Sequence, residues 1–338
     1  MNDTMYLVDE LKGKNYFTCA ACMSVLADTL SWANKHKNKV TKDPEKADNI
    51  VVLSCQVTDL AVLNDIRTLE RLKAKYPGKN FFVSGCLAQR KDIELPVWVK
   101  RLEQPRETYQ DIVDKTLVNY EKPFWVKDFK EKDKNTKEGH LFRESYPLRI
   151  GKGCKFNCTY CTIRVTRGPF EELKSYGKLK EEFLRHDAVL LIADSPTAEQ
   201  IKEWCKIALE AQKPISIRNV EPFVATQCKN ELMYISKKKL LKEFHCPVQS
   251  FDREVLEDMH RHVDSTFEVV KMAKKMKEYG TFIATNIIIN YKNFKQDFSQ
   301  IYKTYDYVSW NPYWDRKWDR GAAEKRFEKY ILNEPAIN

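Results

Sequence analysis

The sequence predicts an α/β protein, an N-terminal small parallel α/β domain followed by a partial (β/α)6 barrel. Short β-branched or aromatic runs alternate with helical patterns, the signature of parallel strands with crossover helices. In the first hundred residues, three such runs each lead into a cysteine. Beyond residue 145 the runs number six, without a seventh and eighth to close a full barrel.

The first domain spans 1–103. Asn15–Thr18 leads into Cys19, Asn49–Ser54 (NIVVLS) into Cys55, and Asn80–Gly85 (NFFVSG) into Cys86, with a helical segment at Ala61–Tyr76. Ligands of parallel sheets collect beyond the carboxyl ends of the strands, so three thiols are expected at one edge. Residues 104–145 lose the alternation and read as a charged linker carrying Phe124 and Trp125 as packing anchors. The barrel with its C-terminal tail occupies 146–338. Its expected strands are Tyr146–Gly151, Ala188–Asp194, Pro214–Asn219, Phe244–Ser250, Thr281–Asn290 and Tyr307–Trp310.

Hydrophobic residues at 43% and charged residues at 31% describe a globular chain. No run reaches the roughly 20 apolar residues that cross a bilayer, and the amino terminus has no secretory pattern. The expected location is cytoplasmic, without a membrane partner. Ten cysteines in a reducing compartment then call for a reading other than disulfides. Core packing suits Cys205, Cys228 and Cys246. It does not suit a tight triplet. The net charge of +10 points weakly to a polyanionic partner, because much of it is interspersed with acidic residues.

That triplet, Cys154, Cys158 and Cys161, stands in GKGCKFNCTYCTIRVTRG just after the first barrel strand. Thiolates are the usual ligands of iron–sulfur clusters. Three on one loop bind three irons of a 4Fe–4S cluster and leave the fourth open for the amino and carboxylate groups of S-adenosylmethionine. Structural zinc, the competing reading, normally takes four ligands in paired spacings. Gly151 and Gly153 permit the tight entry turn, and Tyr160 stands where its ring covers the adenine.

Beyond the triplet, the chain resembles the radical S-adenosylmethionine methylthiotransferase family from about Thr18 to about Ala323, so the barrel is expected to be a radical-SAM barrel. The resemblance rests on Cys19, Cys55 and Cys86, on Gly85-Cys86-Leu87-Ala88-Gln89, on the cluster loop through Thr166-Arg167-Gly168, and on HCPVQSFDREVLEDMHR (His245–Arg261). It implies two 4Fe–4S clusters with S-adenosyl-L-methionine: a catalytic one on Cys154, Cys158 and Cys161, and an auxiliary one on Cys19, Cys55 and Cys86. Cys22 stands where the family has Asn and competes with Cys19 as a ligand.

Two family segments are altered, Ala193-Asp194-Ser195-Pro196 and Asn286-Ile287-Ile288-Ile289-Asn290-Tyr291. Ser195 and Asn286 in them, with Tyr160, Gly153, Arg218, Gln249 and His245, form the candidate cofactor-binding set. For Arg218, Gln249 and His245 the alternative is satisfaction of strand-end backbone groups. Arg167 is a substrate contact or an ion-pair partner, and His260 and His262 are read as solvated residues on a charged helix.

The resemblance implies methylthio transfer, with a one-electron reductant such as flavodoxin or ferredoxin and a sulfur donor as partners. The chain looks like a short form without the family's C-terminal β-barrel domain. That absence favours a peptide or protein substrate, with a tRNA base as the alternative. A non-catalytic electron-relay protein is a third reading, disfavoured by the open-iron triplet.

Overall fold

The computed structural model describes residues 4–19, 23–104, 119–120, 145–172, 176–299 and 301–332. The chain forms two compact units: Met1–Lys134 with Asp315–Asn338, and Asn135–Trp314.

The first unit contains β1 (Tyr6–Leu7), β2 (Asn15–Cys19), α1 (Met23–Lys35), β3 (Asn49–Ser54), α2 (Asp59–Lys75), β4 (Asn80–Gly85), β5 (Val99–Glu103) and β6 (Asn119–Tyr120). Its sheet is parallel throughout, in the order β1-β5-β4-β3-β2-β6. Every residue of β3 is buried, as expected of a strand covered on both faces. Thr58 caps α2, its hydroxyl accepting from the Ala61 N–H at 3.1 Å, which starts the helix just before the predicted segment. Apart from Gln104, the strand β6 and Ser145, the expected linker lies outside the described residues, and Phe124 and Trp125 with it.

In the second unit, β7 (Tyr146–Arg149) leads through the short strand β8 (Gly151–Lys152) and the cysteine loop into α3 (Ile163–Arg167), β9 (Glu171–Glu172) and α4 (Tyr176–Arg185). There follow β10 (Val189–Ile192), α5 (Ala198–Ala211), β11 (Ile215–Ile217), α6 (Pro222–Gln227), α7 (Lys229–Lys237) and β12 (Leu241–His245). The unit ends with α8 (Arg253–Asp258), α9 (Val263–Glu278), β13 (Phe282–Ile289), α10 (Ile301–Thr304) and β14 (Tyr307–Pro312). Six parallel strands run in the order β14-β13-β12-β11-β10-β7, so β7 and β14 are edges and the six-strand expectation holds.

The barrel strands fall within two residues of the expected bounds, with one exception. β12 starts at Leu241 rather than Phe244 and ends at His245. The strand includes Glu243, a polar residue that the apolar pattern passed over. Its buried carboxylate is accommodated by Arg218, Nε to Oε1 3.4 Å.

The tail also departs from the expected division, because it groups with the first unit and not with the barrel. Its helix α11 (Arg320–Leu332) sets Ala323 and Phe327 against Leu60 and Leu63 of α2. Arg320 pairs with Glu70 at 2.7 Å, and Arg326 pairs with the buried Asp59.

Candidate functional site

The cysteine triplet sits on the loop that leaves β8 at the carboxyl end of the barrel strands, where such folds bind ligands. None of the three forms a disulfide. Each sulfur accepts from at least one N–H: Cys154 from Phe156 N at 3.4 Å, Cys161 from Ile163 N at 3.5 Å, and Cys158 from Arg261 Nη1 at 3.8 Å. The Phe156 N–H and the Ser195 side chain favour the Cys154 thiolate. Burial nevertheless pushes the Cys154 thiol up. Sulfur ligands supported by N–H donors fit an iron–sulfur cluster.

A buried charge cluster holds the loop. Asp194, just past β10, takes the Gly153 N–H and Arg149 Nη2 on Oδ2, both at 2.9 Å, and faces Arg167 Nε across 3.6 Å. Gly153 precedes the first cysteine and Arg167 follows the last, so one carboxylate ties both ends of the loop. Burial pushes the Asp194 pKa up, but Arg149, Arg167 and the Gly153 N–H outweigh it and bring it down to about 2. Arg167 is thus an ion-pair partner. Gly153 has φ +75, and a Cβ there would lie 2.0 Å from the Pro169 carbonyl oxygen.

Further contacts seat the loop's middle. Thr159 N donates to the Met259 carbonyl at 3.2 Å, and its hydroxyl lies 3.0 Å from the Asp258 carbonyl and 3.1 Å from Tyr291 OH. Tyr160 packs against Val255, Met259, Ile288 and Tyr291. His260 and His262 lie in the turn between α8 and α9 rather than on a helix; both are exposed, and His262 stacks on Phe223 at 4.2 Å.

Across the strand ends, the Asn219 N–H donates to His245 Nδ1 at 3.1 Å, so the neutral ring carries its proton on Nε2. That N–H meets Asn286 Oδ1 at 3.0 Å, which turns the Asn286 amide nitrogen away from the histidine. Burial, reinforced by Arg218, lowers the His245 pKa to about 3. Gln249 is buried at φ +67, its N–H on the Asn286 carbonyl and its carbonyl accepting from Ile288 N, both at 2.9 Å. The backbone of Gln249 therefore splints β13, while His245 orients Asn286.

In the first unit, β2, β3 and β4 are adjacent, with Cys19 level with Leu53 and Leu53 with Ser84. Cys55 and Cys86 each follow two residues beyond that level, so the three positions share one sheet edge. The Cys55 N–H donates to the buried Asp65 carboxylate at 2.7 Å. Gly85 precedes Cys86 at φ +95, where a Cβ would meet the Ser54 carbonyl oxygen at 2.6 Å. Cys22 lies outside the described residues.

Cys205, Cys228 and Cys246 are buried core thiols, and burial holds Cys228 up at about 12. Among the described residues, no three His, Cys, Asp or Glu side chains converge on a single ion position. A cluster takes each thiolate on a different iron and does not require that convergence. None of the described helices is long and apolar enough to cross a membrane.

Sequence reasoning assigned no role to Arg149, Arg261 or Asp65, and treated Asp194 only as part of an altered segment. A charged residue closing an otherwise apolar strand is the local signal for Arg149, and the His245–Arg261 segment ends on Arg261.

The Radical SAM superfamily model matches residues 148–304, so the second unit is a radical S-adenosylmethionine domain. The model described as Uncharacterized protein family UPF0004 matches residues 14–101. Ribosomal protein uS12 methylthiotransferase RimO of Aquifex aeolicus is 26% identical over 305 residues, covering 83% of this chain and 67% of that protein. The tRNA-2-methylthio-N(6)-dimethylallyladenosine synthase of Thermoanaerobacter sp. is 26% identical over 291 residues, covering 75% of this chain and 60% of that protein. Across both matched regions the chain is similar to radical S-adenosylmethionine methylthiotransferases. It spans 60% to 67% of the length of these two relatives. A solved structure, Streptococcus suis SuiB bound to precursor peptide SuiA, is 13% identical, covers 82% of this chain and 62% of that one, and has a TM-score of 0.38, too low to carry weight.

Proposed function

We propose that the chain is a methylthiotransferase that replaces a C–H hydrogen of its substrate with a methylthio group. The observation that carries this reading is the Cys154–Cys158–Cys161 loop, with an N–H donor on every sulfur and both ends tied to Asp194. When bound, a reduced cluster on this loop supplies the electron that cleaves S-adenosylmethionine, and an auxiliary cluster supplies the sulfur. Cys154, Cys158 and Cys161 would hold the first. Cys19, Cys55 and Cys86 hold the second, with Cys22 as the alternative to Cys19.

The remaining residues bind and orient. Asp194 keeps the loop in register with the strand ends. Neutral His245 fixes Asn286 so that its amide N–H groups are offered to an acceptor on the cofactor or substrate. Ser195 and Arg218 line the same strand ends, and Tyr160 covers one side of the loop. A flavodoxin- or ferredoxin-type protein supplies electrons, and a separate donor renews the sulfur.

The substrate we favour is a tRNA base. The extent of the chain decides nothing about substrate, which removes the ground for preferring a peptide. A net charge of +10 remains, together with a relative named for tRNA adenosine modification. A ribosomal protein is the second reading, favoured by the relative named for uS12.

Reconstituted protein incubated anaerobically with S-adenosylmethionine, reductant and unmodified tRNA should increase the RNA's mass by that of a methylthio group less the hydrogen it replaces. Addition to ribosomal protein but not RNA would establish the second reading. Addition to neither would end the proposal.

A further inference from the structure

Two of the three loop sulfurs are served by backbone N–H groups of the loop itself, Phe156 and Ile163. Cys158 receives a charged side chain, from a residue 103 positions away in sequence. Arg261 reaches it from the turn between α8 and α9. Its side chain is only 5% exposed, and Nη2 is fixed on the Pro247 carbonyl at 2.5 Å. Nη1 lies between the Cys158 sulfur at 3.8 Å and Glu221 Oε1 at 3.4 Å.

Glu221 is equally enclosed and anchored. Its side chain is 6% exposed, and its other oxygen accepts from the Phe223 N–H at 2.6 Å as the N-cap of α6. The sulfur and the carboxylate therefore share one enclosed guanidinium nitrogen. An arginine keeps its charge at any working pH, and a fixed charge acts over longer range in a buried site than in water.

We propose that Arg261 and Glu221 are an opposed pair that sets the reduction potential of the cluster held by Cys158. This rests on the loop binding a cluster, as read above. Reduction adds negative charge to the cluster and its thiolates. Arg261 favours that charge and draws electron density from the Cys158 sulfur, so it raises the potential. Glu221 disfavours the charge directly and competes for the same guanidinium, so it lowers the potential. Hydrogen bonds to cluster sulfurs and net local charge are established determinants of such potentials. The pair thus places the cluster between the values that either residue alone would give.

The test is a redox titration of the full reconstituted chain, following the electron paramagnetic resonance signal that S-adenosylmethionine perturbs. Arg261→Gln should shift the midpoint to more negative potential, and Glu221→Gln should shift it to more positive potential. Arg261→Lys, which keeps the charge, should lie between wild type and Arg261→Gln. A purely structural role would not give shifts of opposite sign from two partners of one ion pair. Unchanged midpoints, or shifts in the same direction, would overturn the inference. Failure of the wild-type chain to take up iron at all would overturn the cluster reading beneath it, and is read separately from the midpoints.

Discussion

The Gly153 N–H donates to Asp194 Oδ2 across 2.9 Å, although 41 residues separate the two in sequence. That bond joins the entrance of the cluster loop to the end of the neighbouring strand, and Arg149 and Arg167 converge on the same carboxylate. The loop is therefore held by tertiary contacts as well as by its own turn.

Asp194→Asn should destabilise the metal-free chain by roughly 3 kcal/mol, because two buried guanidinium groups lose their shared carboxylate. Urea denaturation of the apo-protein measures this. The pH dependence has a defined sign. A carboxyl whose folded pKa is lowered to about 2 stabilises above its unfolded value near 4, and that contribution fades as pH falls toward 2. Asp194→Asn should abolish this part of the acid sensitivity.

Gly153→Ala should be as damaging as its size is small. The residue has a positive φ, and the new methyl group would press on the Pro169 carbonyl oxygen, which is backbone and cannot swing aside. A loss on the order of 1–3 kcal/mol is expected, with lower iron uptake on reconstitution. Wild-type stability and iron content in the variant would contradict the geometry.

His245 gives a second pH signature. Its folded pKa of about 3 lies below the ordinary histidine value, so neutrality in the fold stabilises above pH 6.5, and this is lost as pH falls toward 3. Over that window one proton is taken up on unfolding, a slope of about 1.4 kcal/mol per pH unit. His245→Gln should remove that slope from a plot of unfolding free energy against pH between 6.5 and 5.

The alternation of short strands and helices was legible in the sequence because each element is local. β3 and β4 match the predicted runs residue for residue. β12 did not match, because Glu243 is acceptable in a strand only through Arg218, a partner 25 positions earlier that no local pattern reveals. The cysteine triplet was legible for the same reason that the strands were: its spacing is local. The roles of Asp194 and Arg261 were not, although both stand in family-like segments, since each acts on the loop from a distant part of the chain. The tail was misassigned because its match to α2 is a matter of surface fit, Phe327 and Ala323 against Leu60 and Leu63.

Iron stoichiometry separates the two cysteine sets. Wild type should bind about eight irons per chain, and Cys55→Ala with Cys86→Ala about four. A triple alanine variant at Cys154, Cys158 and Cys161 should also retain about four. Equal iron in wild type and in the Cys55 and Cys86 variant would remove the auxiliary cluster from the account.

Recognition of tRNA predicts a steep loss of affinity with salt, as phosphate contacts release counterions. Binding measured by filter retention from low to physiological salt should show that slope. A flat response would favour a protein substrate held mainly by apolar contacts.

The most direct test is release of 5′-deoxyadenosine from S-adenosylmethionine by the anaerobically reconstituted chain with a one-electron reductant. The account predicts release by wild type and none above background when Cys154, Cys158 or Cys161 is replaced by alanine. No release from cluster-loaded wild type, or undiminished release from those variants, would contradict it.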